Sequence, residues 1–316
     1  MANDMIRVTS GAYADRLISN LGTITARQAR YQAQISTGQK VRLPEDDPGA
    51  VRRTLDLEGE RGRVGQYGRN VTRLKETATT TNMVMRSLSK MATRAGELAV
   101  KSNSIRSADD LKAYAAEVTQ MIHQAVSSVN TNLRGDSVMA GTRNGQPAYT
   151  LTLGTDGRVQ SVTYNGNQDI PSLDIAEGQE LSASVVGSNP TGSGPAGLIE
   201  DPRSGADFFN HLIQFQDQLL AGTGAAVTTT TAVGLQADAD NLLRHIAANG
   251  VVQGRLEAAS ATVSDRLLSL EGQISGETDV DLAKALVRLN ETQVSYQAAL
   301  QTGGKILSMS LMDYLR

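Results

Sequence analysis

The chain has 316 residues, with 30 Lys and Arg against 33 Asp and Glu and a formal net charge of -3. That balance lacks the basic excess of a general nucleic-acid or anionic-membrane binder. The absence of cysteine excludes disulfides, thiolate nucleophiles, iron–sulfur clusters and cysteine-ligated zinc. Aromatic residues make up 3% of the chain and Trp is absent. The apolar side chains that remain, mostly Leu, Val, Ile, Ala and Met, suit thin helical layers better than a thick enzyme core. A chain of this length is expected to form two or three domains or one elongated molecule. Its first residues, Met1 to Arg7, show no basic region followed by an apolar run, so no cleaved signal peptide is expected. No segment approaches the roughly 18 apolar residues of a membrane span.

The first predicted element is a long helix. Ala14, Leu17, Leu21, Ile24, Gln28, Tyr31 and Ile35 recur at spacings of three and four, the seam of a helix that pairs with another. Ser36-Thr37-Gly38 and Leu43-Pro44-Glu45-Asp46-Asp47-Pro48 break it, with Pro44, Asp46, Asp47 and Pro48 as the expected hinge and cap of the next helix. From Val71 the lattice resumes through Leu74, Ala78, Thr81, Met85, Leu88, Ala92, Ala95 and Ala99. Ser107-Ala108-Asp109-Asp110 reads as a capping box that opens a helix on Leu111, Ala115, Val118, Ile122, Ala125, Val129 and Leu133.

Between about Gly135 and Gly205 the helical period disappears. Tyr149 to Leu153 alternates as a strand, Asp156-Gly157 suits a type I′ turn, and Val159 to Tyr164 supplies the return. Asn165-Gly166 marks a second tight turn, Leu181 to Val186 alternates again, and Ser188 to Pro195 has the composition of a linker. Helical texture returns at Phe208, Phe209, Leu212, Ile213, Phe215 and Leu219, followed by an Ala/Thr-rich loop over 221–231. A long helix then carries Leu235, Leu242, Leu243, Ile246, Leu256, Ala259, Val263, Leu267, Leu270 and Ile274, weakened at Gly250 and Gly254 by about 1 kcal/mol each. The last helix carries Leu282, Leu286, Leu289, Gln293, Tyr296, Leu300, Gly303, Leu307 and Leu311.

The expected fold is α+β and elongated, with the terminal helices paired as a coiled coil, a helical-bundle shaft and a small inserted β-rich domain. The expected division is 1–42 with 282–316 as the terminal coiled coil, 43–137 with 205–281 as the shaft, and 138–204 as the insert. Each terminal helix is about 35 residues, roughly 50 Å long, and cannot bury its narrow seam alone. The expected assembly interface is Leu17, Leu21, Ile24, Tyr31 and Ile35 with Leu282, Leu286, Leu289, Tyr296, Leu300, Leu307, Leu311, Tyr314 and Leu315.

These residues resemble the flagellin superfamily. Gln34-Ile35-Ser36-Thr37-Gly38-Gln39-Lys40-Val41 followed by Pro44-Glu45-Asp46-Asp47-Pro48 is similar to its apolar-Ser-Ser-Gly-Lys run and Pro-Ser-Asp-Asp-Pro, with Thr37, Gln39 and Glu45 as conservative departures. Gly135 with Val138 to Thr142 resembles the Phe-Ala-Gly-Thr lead-in to the inserted domain, and Tyr164 to Asn167 its Tyr-x-Gly-Asp/Asn turn. Val252 to Glu257 resembles the Val-Gly-Ala-Arg region and Asp279 to Ala283 the Val-Asp-Leu-Ala stretch. Gln293 to Leu300 and Ser310 to Leu315 complete the match. The Ser-Leu-x-Asp-Tyr-Leu ending resembles the superfamily's junction subunits, whereas the bulk filament subunit typically ends near Leu-Leu-Arg.

The resemblance implies export through the flagellar type III channel, with an export chaperone holding the C-terminal region beforehand. It also implies assembly as a homo-oligomeric ring above hook-associated protein 1 and below flagellin, on the outside of the cell. The terminal helices would form an inner tube, the mid-length helices its outer shell, and the insert would face solvent. The function would be mechanical, with no cofactor, metal, small-molecule substrate, nucleic acid or membrane involved.

Two rival functions remain on the sequence: flagellin itself, and an enzyme or effector whose chemistry lies in the insert. No nucleophile–base constellation appears in the insert. Gly192 to Gly197 fits G-x-G-x-x-G by letter, but a Pro interrupts it and no buried strand leads in. His123, His211 and His245 lack metal-ligand spacing. Asp46 and Asp47 read as a cap before they read as a catalytic pair. The arginines at 52, 53, 61, 63, 69 and 73 are interrupted by Asp56, Glu58 and Glu60, with Tyr67 alone available to stack a base, so a subunit–subunit ion-pair surface is the expected role. Asn70-Val71-Thr72 and Asn290-Glu291-Thr292 match the glycan sequon by chance inside helices.

Overall fold

The computed structural model describes residues 2–104, 107–143, 145–222 and 229–314. Within those stretches its side chains are described from 15 to 305, except at 229 and 230. The helices are α1 (Ala2–Thr37), α2 (Pro48–Ser102), α3 (Ala108–Val129), α4 (Phe208–Leu220), α5 (Thr229–Thr278) and α6 (Leu282–Tyr314). Between α3 and α4 lie β1 (Asn132–Leu133), β2 (Asp136–Ser137), β3 (Tyr149–Leu153), β4 (Val159–Tyr164), β5 (Leu173–Ala176), β6 (Gln179–Leu181), β7 (Val186–Ser188), β8 (Gly197–Asp201) and β9 (Ala206–Asp207). The chain divides into two compact units, one of residues 1–62 with 267–316 and one of residues 63–266, so α2 and α5 contribute to both.

The larger unit holds the core. Every apolar position of the stripe predicted from Val71 to Ala99 is buried, and Thr81 with it. The same is true of Leu111, Ala115, Val118, Ile122, Ala125 and Val129 on α3. From Met85 onward the α2 stripe and the α3 stripe meet Phe208, Leu212, Phe215 and Leu219 of α4 and Leu235 and Leu242 of α5 in one cluster. Alanines at 92, 95, 99, 115 and 125 keep the contact surfaces flat, which suits helices packed closely along their length. Ser107 occupies the N-cap of α3, yet its hydroxyl makes no cap bond. The capping-box expectation therefore fails at its N-cap hydroxyl.

The strands form small separate sheets: β1–β2, β3–β4, β5–β6, and β7–β8–β9. The β3–β4 pair forms over the predicted residues, but its turn is not type I′. Gly157 has φ +79, Asp156 stays in the ordinary region, and Gly154 and Arg158 close the loop by a 2.8 Å backbone bond. This is a longer turn ending in a left-handed glycine. The two-residue turn with both central residues at positive φ falls instead on Arg134 (+56) and Gly135 (+92), between β1 and β2. Arg134 occupies a region disfavoured by about 1–2 kcal/mol for L-residues, and its guanidinium pairs with Glu76 on α2.

The segment expected to be a linker is a pinned loop. β7 and β8 run parallel, a pairing that usually needs a longer crossover than residues 189–196 provide. Asn189 makes this short return possible. Its buried amide donates to the carbonyls of Ser193 (2.8 Å) and Pro195 (2.6 Å) and accepts from Gly192 N (3.0 Å), Thr191 Oγ1 (3.0 Å) and Gln168 Nε2 (3.1 Å). Asn241 of α5 donates to the carbonyls of Gly197 (2.9 Å) and Leu198 (2.8 Å), anchoring β8 to the helices. Asp238 of α5 is buried, accepts from Asp207 N at 2.8 Å and faces His211 Nδ1 at 2.8 Å.

Asp201 closes the same loop. Its carboxylate accepts from Gly197 N (3.0 Å) and Arg203 N (3.0 Å) and binds the Arg203 guanidinium through both oxygens (2.9 and 2.6 Å). The side chain of Asp201 is 3% exposed. The Arg203 guanidinium, helped by the backbone N–H groups, lowers its pKa from 3.8 to about 2. A carboxyl with a folded pKa below its unfolded value stabilises above the unfolded pKa and loses that contribution as pH falls through the folded one. Asp201→Asn should therefore lower stability by about 2 kcal/mol at pH 5, and the gap should close between about pH 4 and 2. Urea midpoints of both proteins across that range check it; a gap independent of pH would contradict it.

Candidate assembly surface

The smaller unit is built on α1 and α6. Two contacts fix their relation. A Cβ added to Gly303 would lie 2.3 Å from Leu17 Cδ2, so the helices touch there through a glycine. At the other end Gln39 and Asp279 form an antiparallel bridge. The helices are thus antiparallel. Carrying the register from Leu17 and Gly303 sets Leu21 opposite Ala299, Ile24 opposite Tyr296, Gln28 opposite Thr292, Tyr31 opposite Leu289 and Ile35 opposite Ala285. All of these residues are half-buried or buried, and their alternating steps of three and four form the seam of a two-helix coiled coil.

The signatures at the two ends of the chain meet at the base of this pair. Gly38 takes φ +74 and ends α1, accepting Val280 N at 2.9 Å, while Lys40 N donates to Thr278 O at 2.8 Å. The Lys40 ammonium donates to the Gly276 carbonyl at 2.8 Å. Asp46 accepts from the backbone N–H of Leu43 and Arg42, each at 3.1 Å; these bonds hold its pKa below the ordinary value. Asp47 accepts from Ala50 N at 2.9 Å, three residues on, at the start of α2. Pro48 follows at the first helical position, where a missing N–H costs nothing. Asp281 does for α6 what Asp47 does for α2, accepting from Lys284 N at 3.0 Å.

Arg53 binds Glu277 through two parallel bonds of 3.0 and 2.9 Å, which lowers the carboxyl pKa. This corrects part of the arginine reading: Arg53 and, through Glu58, Arg61 find partners within their own chain. Neither the clasp at 38–40 and 276–280 nor the Arg53–Glu277 pair was visible in the sequence. Their partners lie more than 200 residues apart, and no periodicity connects them.

The seam residues divide into two groups. Leu17, Leu21, Ile24, Tyr31, Ile35, Leu289 and Tyr296 line the α1–α6 contact and are half-buried. Leu282, Leu286 and Leu300 lie to one side of that face and remain 50%, 48% and 47% exposed. Val294 of α6 and Ile18 of α1 are more exposed still. The backbone of α6 is helical at Leu307, Leu311 and Tyr314, whose side chains are not among those described, and Leu315 lies outside the described residues. Among the described side chains of this unit, the buried hydrophobics are Ala50, Leu270 and Ala285.

Residues 8–143 match the bacterial flagellin N-terminal helical region. Over 315 residues the chain is 23% identical to flagellar hook-associated protein 3 of Salmonella typhimurium, covering 94% of this chain and 96% of that protein. The chain is thus similar to flagellar hook-associated protein 3 over nearly its whole length. Among solved structures, a flagellar hook-associated protein of Vibrio parahaemolyticus superposes on this chain with a TM-score of 0.62 at 16% identity, covering 74% of this chain and all of that one. The flagellar junction protein of Legionella pneumophila superposes with a TM-score of 0.52 at 12% identity, covering 72% and 99%. The combination of long helices with a small strand-bearing region is thus the fold these proteins share. Among the described residues no helix is long and apolar enough to cross a membrane.

Proposed function

We propose that this chain is a structural subunit of the bacterial flagellum at the junction between hook and filament, and that it acts by self-assembly through its terminal helices. One observation carries the reading: among its described side chains the α1–α6 unit leaves leucines half-exposed and buries only Ala50, Leu270 and Ala285. Each half-exposed leucine covered by a neighbouring copy would contribute about 1 kcal/mol, and repetition around a ring multiplies that gain. The near full-length similarity to hook-associated protein 3 supports the junction over the filament.

In this reading residues 1–42 and 282–316 line the inner tube, 43–137 and 205–281 form the shaft around it, and 138–204 form the outer domain. Leu17, Leu21, Ile24, Tyr31, Ile35, Leu282, Leu286, Leu289, Tyr296, Leu300, Leu307, Leu311, Tyr314 and Leu315 form the assembly interface, and Pro44 to Pro48 its hinge and cap. Hook-associated protein 1 lies below and flagellin above. A flagellar chaperone delivers the chain to the type III export channel, and the work is mechanical, with no reaction catalysed.

Deletion of the gene tests this. The expected result is cells with hooks but no filaments and with flagellin monomers released into the medium. Retained filaments would overturn the reading. Loss of filaments with no flagellin in the medium would make the chain the filament subunit itself.

A further inference from the structure

Charge in the larger unit is segregated in a way that the assembly reading leaves unused. From 159 to 202 the chain carries Asp169, Asp174, Glu177, Glu180, Glu200 and Asp201 and no Lys or Arg. Asp201 is matched by Arg203, and Glu200 accepts the Ser188 hydroxyl. Among the described residues no cation pairs with Asp169, Asp174, Glu177 or Glu180, and the last three lie on or beside the β5–β6 hairpin. Residues 77–96 of α2 are the mirror image, holding Arg86, Lys90 and Arg94 and no acid. Arg94 is committed to Glu97 and Glu117, whereas Arg86 and Lys90 have no acidic partner among the described residues.

These two sets cannot neutralise each other within one chain. The hairpin packs Ile175 and Leu181 against Val71, Leu74, Ala78 and Leu256, on the inner side of α2, and its carboxylates face solvent. Thr79, Met83, Arg86 and Lys90, spaced four, three and four, form the opposite side of α2, away from Ala78, Met85, Leu88 and Ala92. Met83 is 60% exposed at the centre of that side, with both cations beside it.

We propose that this outer face of α2 docks the acidic β5–β6 hairpin of a second copy of this chain. The contact is heterologous: one surface of each copy meets a different surface of the next. That is the kind of contact that propagates around a ring. Single exposed ion pairs are weak, so the charges set orientation and register between neighbours, while the terminal helices hold the assembly together. The inference rests on the assembly reading but can fail without it.

The natural absence of cysteine permits a clean test in flagella isolated from cells. Met83→Cys and Glu177→Cys are produced as full chains, separately and together, and treated with a short bis-maleimide. The expected result is a cross-linked dimer in the mixed strain and none in either single strain. Arg86→Glu with Lys90→Glu in the Met83→Cys copy should reduce that dimer several-fold, or prevent its incorporation. Asp174→Lys with Glu180→Lys in the other copy should restore it. Intact filaments with no mixed dimer, a dimer indifferent to charge reversal, or a swap that restores nothing would overturn the contact and leave the junction reading standing. Retained filaments after gene deletion would remove the junction reading instead.

Discussion

Leu300→Asp is expected to abolish filament growth while leaving the purified chain as stable as its parent. Leu300 is 47% exposed in the single chain, so replacing it removes little that the monomer has buried, and surface changes of this kind usually stay within about 0.5 kcal/mol. In the proposed tube the same position would lie between apolar helices of neighbouring copies. There the substitution would forfeit the remaining half of the leucine's burial, about 1 kcal/mol per copy, and add the cost of desolvating an unpaired carboxylate, several kcal/mol more. Every copy in the ring carries the defect. Electron microscopy of cells expressing the variant, set beside urea unfolding of the purified chain, checks both halves. Normal filaments would count against the terminal-helix interface, and a monomer that unfolds early would show that Leu300 serves the fold instead.

The opposite profile is expected of Phe215→Ala. Phe215 is fully buried in the cluster that includes Leu98, Val118, Ile122, Leu212 and Leu219, and the next residue makes the site rigid. Gln216 accepts the Thr119 hydroxyl at 2.9 Å and reaches the Val159 carbonyl at 3.4 Å, joining α3, α4 and β4. A core so tied relaxes little around a cavity, so the cost should be about 3–5 kcal/mol, a large share of the stability of a domain this size. Urea denaturation should show a lower midpoint with an unchanged slope. A loss below about 1 kcal/mol would mean that the helices collapse into the space. Together the two variants separate the proposed assembly surface from the core that holds the chain itself.

The stripe from Val71 to Ala99, the α3 stripe and the β3–β4 pair were legible because each is a local period. Helical or alternating spacing dictates which side chains share a face, whatever that face meets. Asp47 as the cap of α2 was legible for the same reason, since its bond spans three residues. Turn chemistry was less so. Asp156-Gly157 has the favoured letters for a type I′ turn, yet that conformation went to Arg134-Gly135, where strand pairing and the Glu76 ion pair hold an arginine at positive φ. The loop over 189–195 has linker composition, but a single buried amide organises it.

The assembly surface shows where local information ends. The apolar content of α6 is written in its spacing, but its seam is wide enough for two faces, and spacing cannot say which one is covered. Register against α1 decides that. It is set by a glycine at 303 under Leu17 and by a clasp joining 38–40 to 276–280, contacts between opposite ends of the chain. Helix identity and amphipathic content follow from interactions within a few residues, which any local stretch encodes. The choice of Ala285, Leu289 and Tyr296 as the covered face, with Leu282, Leu286 and Leu300 left half-exposed, arises from long-range packing and exists only once the two ends of the polypeptide have met.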